Sequence, residues 1–379
     1  MVRDEADVIA AMLEHHLAEG VDIVIVTDNG SVDGTREILA DYAASGRVEV
    51  HDYLKHDKNQ AAVVSSMAAR AATHHGATWV VNADADEFFV AQDPHKTLRD
   101  ALVGIPTGIG SFEVPVVNMT GPPAREGGAL NRLVWRDHRE ESSLMETVAL
   151  HSHPTSDVIH VGSADVIVVQ GNHGVNIQSL GSPPPGCEVE VLHFPWRTFS
   201  QYATKIENTG KSYDANPLLN PSPRHHGMRD YRFLNAGVLE PMYLIRHPGE
   251  EPGPEFVHDS RVADRLTRLL ENGLAQVPSR LEEALSPAWS EYSEADRVRA
   301  QEIARLVIPL EMEHLAASTR WRDMYRAEAA GRRRAEESAR SAEAEGDRLA
   351  RLPELRFRRL VGRAKRKISR VLSSLNRWR

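Results

Sequence analysis

Two carboxylates stand out at Asp84-Ala85-Asp86, at the end of the apolar run Trp79-Val80-Val81 and just ahead of Glu87, Phe88 and Phe89. In an extended segment, side chains two apart point the same way, so the spacing predicts that Asp84 and Asp86 present their charges together. Such a pair repels in a cleft unless a cation joins it, and a hard divalent ion carrying a diphosphate is the natural occupant. The plain alternative is an acidic turn in water. A second group of chemistry-bearing residues lies far along the chain. Val189 to Leu192 leads to His193, and Pro195 is expected to open a helix. At helical spacing Arg197, Gln201, Lys205 and Asn208 share one face, while Phe199, Tyr202 and Ile206 share the opposite one. The first face is polar and cationic, and the second is expected to pack. The first reads equally as a solvated helix face, and His193 as a histidine hydrogen-bonded at a helix start.

The elements that must position these groups alternate. Asp7–Ala18 has helical spacing and closes at Gly20; Val21–Val26 is a mostly β-branched strand. It delivers the chain into a polar turn, Thr27 to Thr35, followed by a helix to Ala44 and a strand over Val48–Tyr53. Asn59–Ala72 is an Ala-rich helix, and the strand before Asp84 follows it. Strands alternating with helices predict an α/β fold with a mostly parallel sheet, ligands gathering at the strand C-termini. Both acidic turns then lie on one rim. Beyond Pro94 the pattern loosens, with strand-like stretches at Ser111–Met119, Leu133–Trp135, Val158–Val161 and Val166–Val169. His173, in the turn Gly171 to Gly174, is a further candidate for the cleft. From Phe256 onward the pattern is helical.

Several of these stretches resemble one family. VTDNGSVDGTREIL is similar to the Asp/Ser/Asp-Gly-Thr turn of family 2 glycosyltransferases, and NADADEFF to their metal-binding DxD. VRDEADVIAAMLEHHLAEG resembles the opening of the Glyco_tranf_2_4-type branch, with Asp4 in place of its Asn and Met12 in place of its Trp. LHFPWRTFSQYATKIENTG resembles that branch's late His-x-P-x-Arg-Ser segment, with Thr198 replacing the Ser. The four motifs occur in order over roughly residues 1 to 210. The resemblance implies a GT-A (Rossmann-like) fold and an inverting transfer of sugar from a nucleoside-diphosphate donor to a hydroxyl acceptor. It implies that Asp28, Asn29, Ser31 and Asp33 hold the nucleotide, with Asp84 on the ribose. Asp84, Asp86 and His193 would hold Mg²⁺ or Mn²⁺, while Arg197 and Lys205 act on the departing diphosphate. For the general base the candidate is Glu141, in Arg139-Glu140-Glu141-Ser142, which reads equally as a surface acid. Ala317 stands where the Q-x-x-R-W motif of processive synthases has Gln, which disfavours polymer synthesis. The buried strand that opens the family's sheet is represented only by Met1-Val2, so an apolar strand ahead of Met1 is expected to add stability. A haloacid-dehalogenase-type phosphatase also uses an apolar strand and a DxD, but it leaves the Thr27–Thr35 turn unexplained. A degenerate transferase domain acting as an adaptor is the non-enzymatic alternative.

Composition bounds the rest. Cys187 is the sole cysteine, which rules out an intramolecular disulfide and a cysteine-rich zinc site. No apolar run approaches the ~20 residues that span a bilayer, and the acidic start MVRDEADV is unlike a signal peptide. A cytoplasmic location is the default expectation. The net charge of −9 conceals a division: residues 351–379 hold eleven Lys and Arg against Glu354 alone. The acidic body argues against nucleic acid as a partner. In the tail Leu360, Val361, Ala364, Ile368, Val371, Leu372, Leu375 and Trp378 form one helical stripe flanked by basic residues. This predicts docking on an anionic membrane, at its inner face, near a lipid-linked glycan or cell-surface polysaccharide acceptor; the alternative is a helix packed on the acidic surface of the body. The expected division is a transferase domain over 1–215, a helical extension over 216–317, an exposed helix or weak coiled coil over 318–350, and the basic tail over 351–379.

Overall fold

A computed structural model describes residues 1–55, 60–128, 130–215, 221–287, 289–350, 361–362, 364–370 and 373. In chain order the elements are α1 (Ile9–Ala18), β1 (Val24–Asp28), α2 (Thr35–Ala43), β2 (Val48–Asp52), α3 (Gln60–His75), β3 (Trp79–Val81), β4 (Glu87–Ala91) and α4 (Leu98–Val103). Then come β5 (Ser111–Val114), β6 (Val116–Thr120), β7 (Ala124–Glu126), β8 (Trp135–Asp137), α5 (Glu141–Val148), β9 (Asp157–Val161) and β10 (Val189–His193). The remainder is α6 (Phe199–Asp214), α7 (His226–Asn235), α8 (Leu239–Leu244), β11 (Phe256–His258), α9 (Arg261–Glu271), α10 (Pro278–Ala284), β12 (Trp289–Glu291) and α11 (Glu294–Ala350).

The fold is mixed α/β, and the expectation of a mostly parallel sheet is corrected. β1 and β2 pair in parallel, as their connection through α2 requires. A five-stranded sheet runs β11-β8-β6-β10-β4, and within it only β10 and β6 are parallel. β3-β9-β5 is antiparallel throughout, as is the pair β12-β7. The alternation that predicted a parallel sheet ends at β3. Past it the antiparallel partners come from far along the chain, β9 returning to β3 and β10 to β4. Pro115 shows how: the expected single strand over Ser111–Met119 is split there, β5 joining β9 and β6 joining β10 and β8. A residue without an N–H suits the point where a strand leaves one ladder for another. Val166–Val169 forms no strand, only an isolated bridge between Val168 and Val175.

Local chemistry sets the element ends near the site. Gly20 (φ +90°) ends the α1 turn, and Gly34 (φ +106°) precedes α2, both in left-handed geometry. Thr198 caps α6 by accepting the Gln201 amide, so this helix starts at Phe199 and not at Pro195. One apolar cluster joins Ile9, Leu13, Leu39, Phe88 and Phe194, which seats α1, α2 and β4 against one another. A second gathers Tyr202, Ile206, Phe233, Met242 and Tyr243, the face of α6 expected to pack.

The chain divides into two compact units, Met1–Pro309 and Leu310–Arg379. In the second, helix α11 continues to Ala350 with Trp321 stacked on Tyr325. Most of the predicted basic tail, 351–360, 363, 371–372 and 374–379, lies outside the described residues, as does Asn59. Among the described residues no helix is long and apolar enough to cross a membrane.

Candidate active site

The turn after β1 is held by its own polar residues. Asp28 is buried; its carboxylate accepts the amides of Gly30 (3.1 Å) and Ser31 (3.2 Å) and an Arg36 guanidinium N–H at 2.5 Å. Asn29 donates its side-chain amide to the carbonyls of Tyr53 (2.6 Å) and Lys55 (2.9 Å). Ser31 Oγ accepts the Asp4 amide (3.0 Å), Thr35 Oγ1 the Glu5 amide (2.9 Å), and Asp33 the Ala6 amide (2.9 Å). The residues expected to hold a nucleotide thus also fasten the segment Asp4 to Asp7 across the turn. Asp4 itself sits at φ +54°, where its carboxylate accepts the Val32 amide and the Asn208 side chain. A short polar side chain that bonds locally is what makes this conformation tolerable.

Behind that segment lies a charged knot centred on Asp86. Asp86 is buried, and its Oδ2 accepts from Lys205 Nζ and from Arg197 Nη1 (3.3 Å), with His193 Nε2 at 3.6 Å. Burial alone would raise its pKa, but Lys205, His193 and Arg197 outweigh that and hold it well below the usual carboxylate range. Arg197 also donates to Glu5 (2.5 Å) and to Asp7 (2.6 Å). Glu5 is pushed up to about 7, by burial first, against the pull of Arg197 and Lys205. His193 is placed by the β10 ladder, opposite Glu87 on one side and Asn118 on the other, and its Nδ1 faces Asn118 Oδ1 at 2.9 Å.

Asp84 is turned to other partners. Its Oδ1 accepts from Asn172 Nδ2 (3.3 Å) and Gln60 Nε2 (3.4 Å), and its amide donates to Glu87 Oε2 (2.8 Å). Burial and then the charge of Asp86 raise its pKa, and burial and then Asp84 do the same to Glu87. Three acids with imperfectly balanced charge therefore share this rim. The turn carrying Asn172 also brings His173 into the neighbourhood, where its ring Nδ1 lies 3.1 Å from the buried carboxylate of Asp157.

The predicted residues separate as follows. Asp86, His193, Arg197 and Lys205 converge, and Gln201 and Asn208 join them by bonding Asp4. Residues 85–86 form a turn and not the expected extended segment, so Asp84 faces Asn172 and Gln60 instead of the partners of Asp86. Arg197, however, is buried and engaged by three carboxylates. It precedes α6 in the chain, so its place beside Lys205 comes from the Pro195–Thr198 segment and not from a helix face. Glu141 heads α5, is exposed, and among the described residues makes no ion pair or hydrogen bond with this cluster. Glu5, Asp7, Asn118, Asp157 and Asn172 were missed. The acid-rich run Arg3-Asp4-Glu5-Ala6-Asp7 was the signal for the first two; nothing in local spacing marks the others.

Among the described residues no three His, Cys, Asp or Glu side chains stand in metal-holding geometry. The donor chemistry nonetheless suits a hard divalent ion, because such ions are often held by one or two carboxylates together with substrate phosphates. Asp84 and Asp86 are that pair, raised acid beside lowered acid, and the Asn118 contact leaves His193 Nε2 directed at Asp86.

Residues 1–110 match the model of glycosyltransferase family 92, a span containing both the Thr27–Thr35 turn and Asp84-Ala85-Asp86. The matched family is thus family 92, where the sequence motifs resembled family 2. No curated protein is significantly similar to the chain, and no solved structure is either. The match to less than a third of the chain supports a glycosyl-transfer function.

Proposed function

We propose that the protein is an inverting glycosyltransferase of GT-A type, related to the family 2 branch, that moves a sugar from a nucleoside-diphosphate donor to a hydroxyl acceptor. The observation that carries this reading is the convergence of His193 and Lys205 on Asp86, two residues from Asp84, beside the segment fastened to the Thr27–Thr35 turn. The turn and the DxD both fall within the family match.

The acceptor oxygen attacks the anomeric carbon, its proton passes to a base, and the sugar–phosphate bond breaks with its electrons left on the diphosphate. Lys205, half-exposed above Asp86, offsets the charge that develops on that leaving group. Arg197 acts through the carboxylates it holds and is a positioning residue. Asp84 and Asp86, together with the donor phosphates, would hold Mg²⁺ or Mn²⁺, which supplies Lewis-acid stabilisation of the diphosphate, while His193 stands beside Asp86. Asp28, Asn29, Ser31 and Asp33 shape the nucleotide pocket. The candidates for the base are Glu141 and His173.

A hydrolysis and transfer screen of nucleoside-diphosphate sugars, with Mn²⁺, with Mg²⁺ and with EDTA, tests the reading. Turnover of one donor that falls at least about a hundredfold in Asp86→Asn supports it. Phosphatase activity on simple phosphomonoesters without any sugar-nucleotide turnover would overturn it.

A further inference from the structure

Asp86 carries two cations on one oxygen, and they are held differently. The Arg197 side chain is 4% exposed and is fixed by Asp86 (3.3 Å), Glu5 (2.5 Å), Asp7 (2.6 Å) and the Phe194 carbonyl (3.2 Å). Lys205 reaches the same Oδ2 from α6 with a side chain that is 35% exposed. Among the described residues this is the only hydrogen bond its ammonium makes. A compact charge on a flexible four-carbon stem can change partners, whereas a planar guanidinium gripped on three sides cannot. Of the two cations, Lys205 is the one able to move.

A second carboxylate stands within its reach. Glu5 Oε2 accepts from Arg197, whereas Oε1 accepts no hydrogen bond among the described residues and has Lys205 Nζ at 3.9 Å. Closing that gap to a charge-assisted hydrogen bond takes a shift of about 1 Å. Arg197 donates to Glu5 and to Asp86 at once, so it holds the two carboxylates side by side. Thr35 Oγ1 accepts the Glu5 amide and ties this second position to the turn after β1. A divalent ion arriving at Asp86 would meet an ammonium on the same oxygen, and two cations on one oxygen repel. That repulsion is relieved when the ammonium leaves for a neighbouring carboxylate. No proton is gained or lost in the move.

We propose that Lys205 is the resident cation of this site: its ammonium stands on Asp86 until a divalent ion binds there, and then passes to Glu5 Oε1. The proposal rests on the metal-dependent transfer read above and adds Glu5 to it as a positioning residue. Glu5 acts on the ion through Lys205, by receiving the charge that the ion displaces. Arg197 keeps its place throughout, because its grip on both carboxylates is what sets them close enough for the exchange.

Mn²⁺ binding to the full chain, read from the electron paramagnetic resonance of the free ion with no donor present, tests this. Lys205→Met should bind Mn²⁺ at least about tenfold tighter than the parent, because no ammonium opposes the ion. Lys205→Gln should do the same, and it guards against a fold defect in the apolar variant. Lys205→Arg, which keeps a cation at Asp86, should stay within about threefold of the parent. Glu5→Gln should weaken binding about tenfold in the parent but no more than about twofold beside Lys205→Met, since no ammonium is then displaced. Equal or weaker binding by both uncharged Lys205 variants overturns the proposal. So does a Glu5→Gln loss of the same size in both backgrounds, because Glu5 then acts as a charge near the ion. Absence of Mn²⁺ binding from every form is a different failure, which removes the metal assignment itself and the exchange with it.

Discussion

In the proposed transfer the acceptor proton has two candidate destinations, His173 and Glu141, and as single residues they differ in kind. His173 Nδ1–H donates to a buried carboxylate, Asp157 Oδ1, which fixes the tautomer and leaves Nε2 as the proton acceptor. The Asp157 hydrogen bond is the main cause that raises the His173 pKa, and Asp84 adds to it. Glu141 is an exposed acid at the start of a helix, without a partner that would orient it among the described residues. We therefore expect His173→Gln to lower kcat by about 10²-fold or more and to abolish the rise of rate with pH through the histidine's titration. Asp157→Asn should move that rise to lower pH, and Glu141→Gln should leave kcat within a few-fold. The reverse ranking, measured as pH–rate profiles on the donor found by screening, would assign the base to Glu141. Little of this pair was visible beforehand. His173 was noticed only for its Gly-flanked turn, and Asp157 is one acid among many at the start of β9. Asp84 and Asp86 were noticed from their spacing at a strand end, and His193 from the resemblance of its segment to a family motif. The partners of Arg197 were not legible, since Glu5 and Asp7 lie 192 and 190 residues away in the chain.

Among the elements, the seating of α1 on β4 depends on two neutral histidines. His15 donates Nε2–H to the Phe89 carbonyl (2.9 Å), and its Nδ1 is buried with no partner among the described residues. His16 donates Nδ1–H to the Met12 carbonyl (2.9 Å), and its Nε2 accepts the Phe89 amide (3.3 Å). A second proton on either ring has no acceptor, and on His16 it would oppose an N–H. Burial accordingly holds His15 well below its usual pKa and His16 down at about 4. Depressed folded-state values mean that this stability is fully present above the unfolded value of ~6.5. It is lost as pH falls towards the folded values, at up to about 1.4 kcal/mol per pH unit for each ring. Melting curves should therefore drop steeply between pH 6.5 and 4, and His16→Gln should flatten that slope. An unchanged melting temperature across this window would show that α1 is not held this way. The helix itself was readable from spacing, whereas its buried pair of histidines looked like two of 18. Sheet direction was misread for a related reason. β-α-β order constrains neighbours only while helices intervene, and after β3 the chain turns back through loops whose course no periodicity records.

For the whole molecule, charge is the property that bears on where the proposed reaction takes place. The acidic first 350 residues and the basic segment 351–379 are opposite in sign, with Arg358, Arg359, Arg363, Lys365, Arg366, Lys367 and Arg370 flanking the apolar stripe that ends at Trp378. Residues 364–370 are helical, and Lys367 lies 3.5 Å from Glu345, so some of this charge meets acids of the same unit. An exposed pair of this kind contributes little and is screened by salt. An anionic bilayer offers far more, about 1 kcal/mol for each Lys or Arg near the surface together with burial of the apolar stripe. We propose on that basis that the tail brings the transferase to an anionic membrane surface, where a lipid-linked glycan or cell-surface polysaccharide would present its hydroxyl. Flotation on liposomes containing anionic lipid, for the full chain and for a form ending at Ala350, tests this at low and high salt. The full chain should float at low salt and partly release at high salt, because several charges act at once while the apolar stripe is insensitive to screening. The shortened form should stay at the bottom under both conditions. Flotation of both forms alike, or of neither at low salt, would mean that the basic tail serves a partner other than lipid.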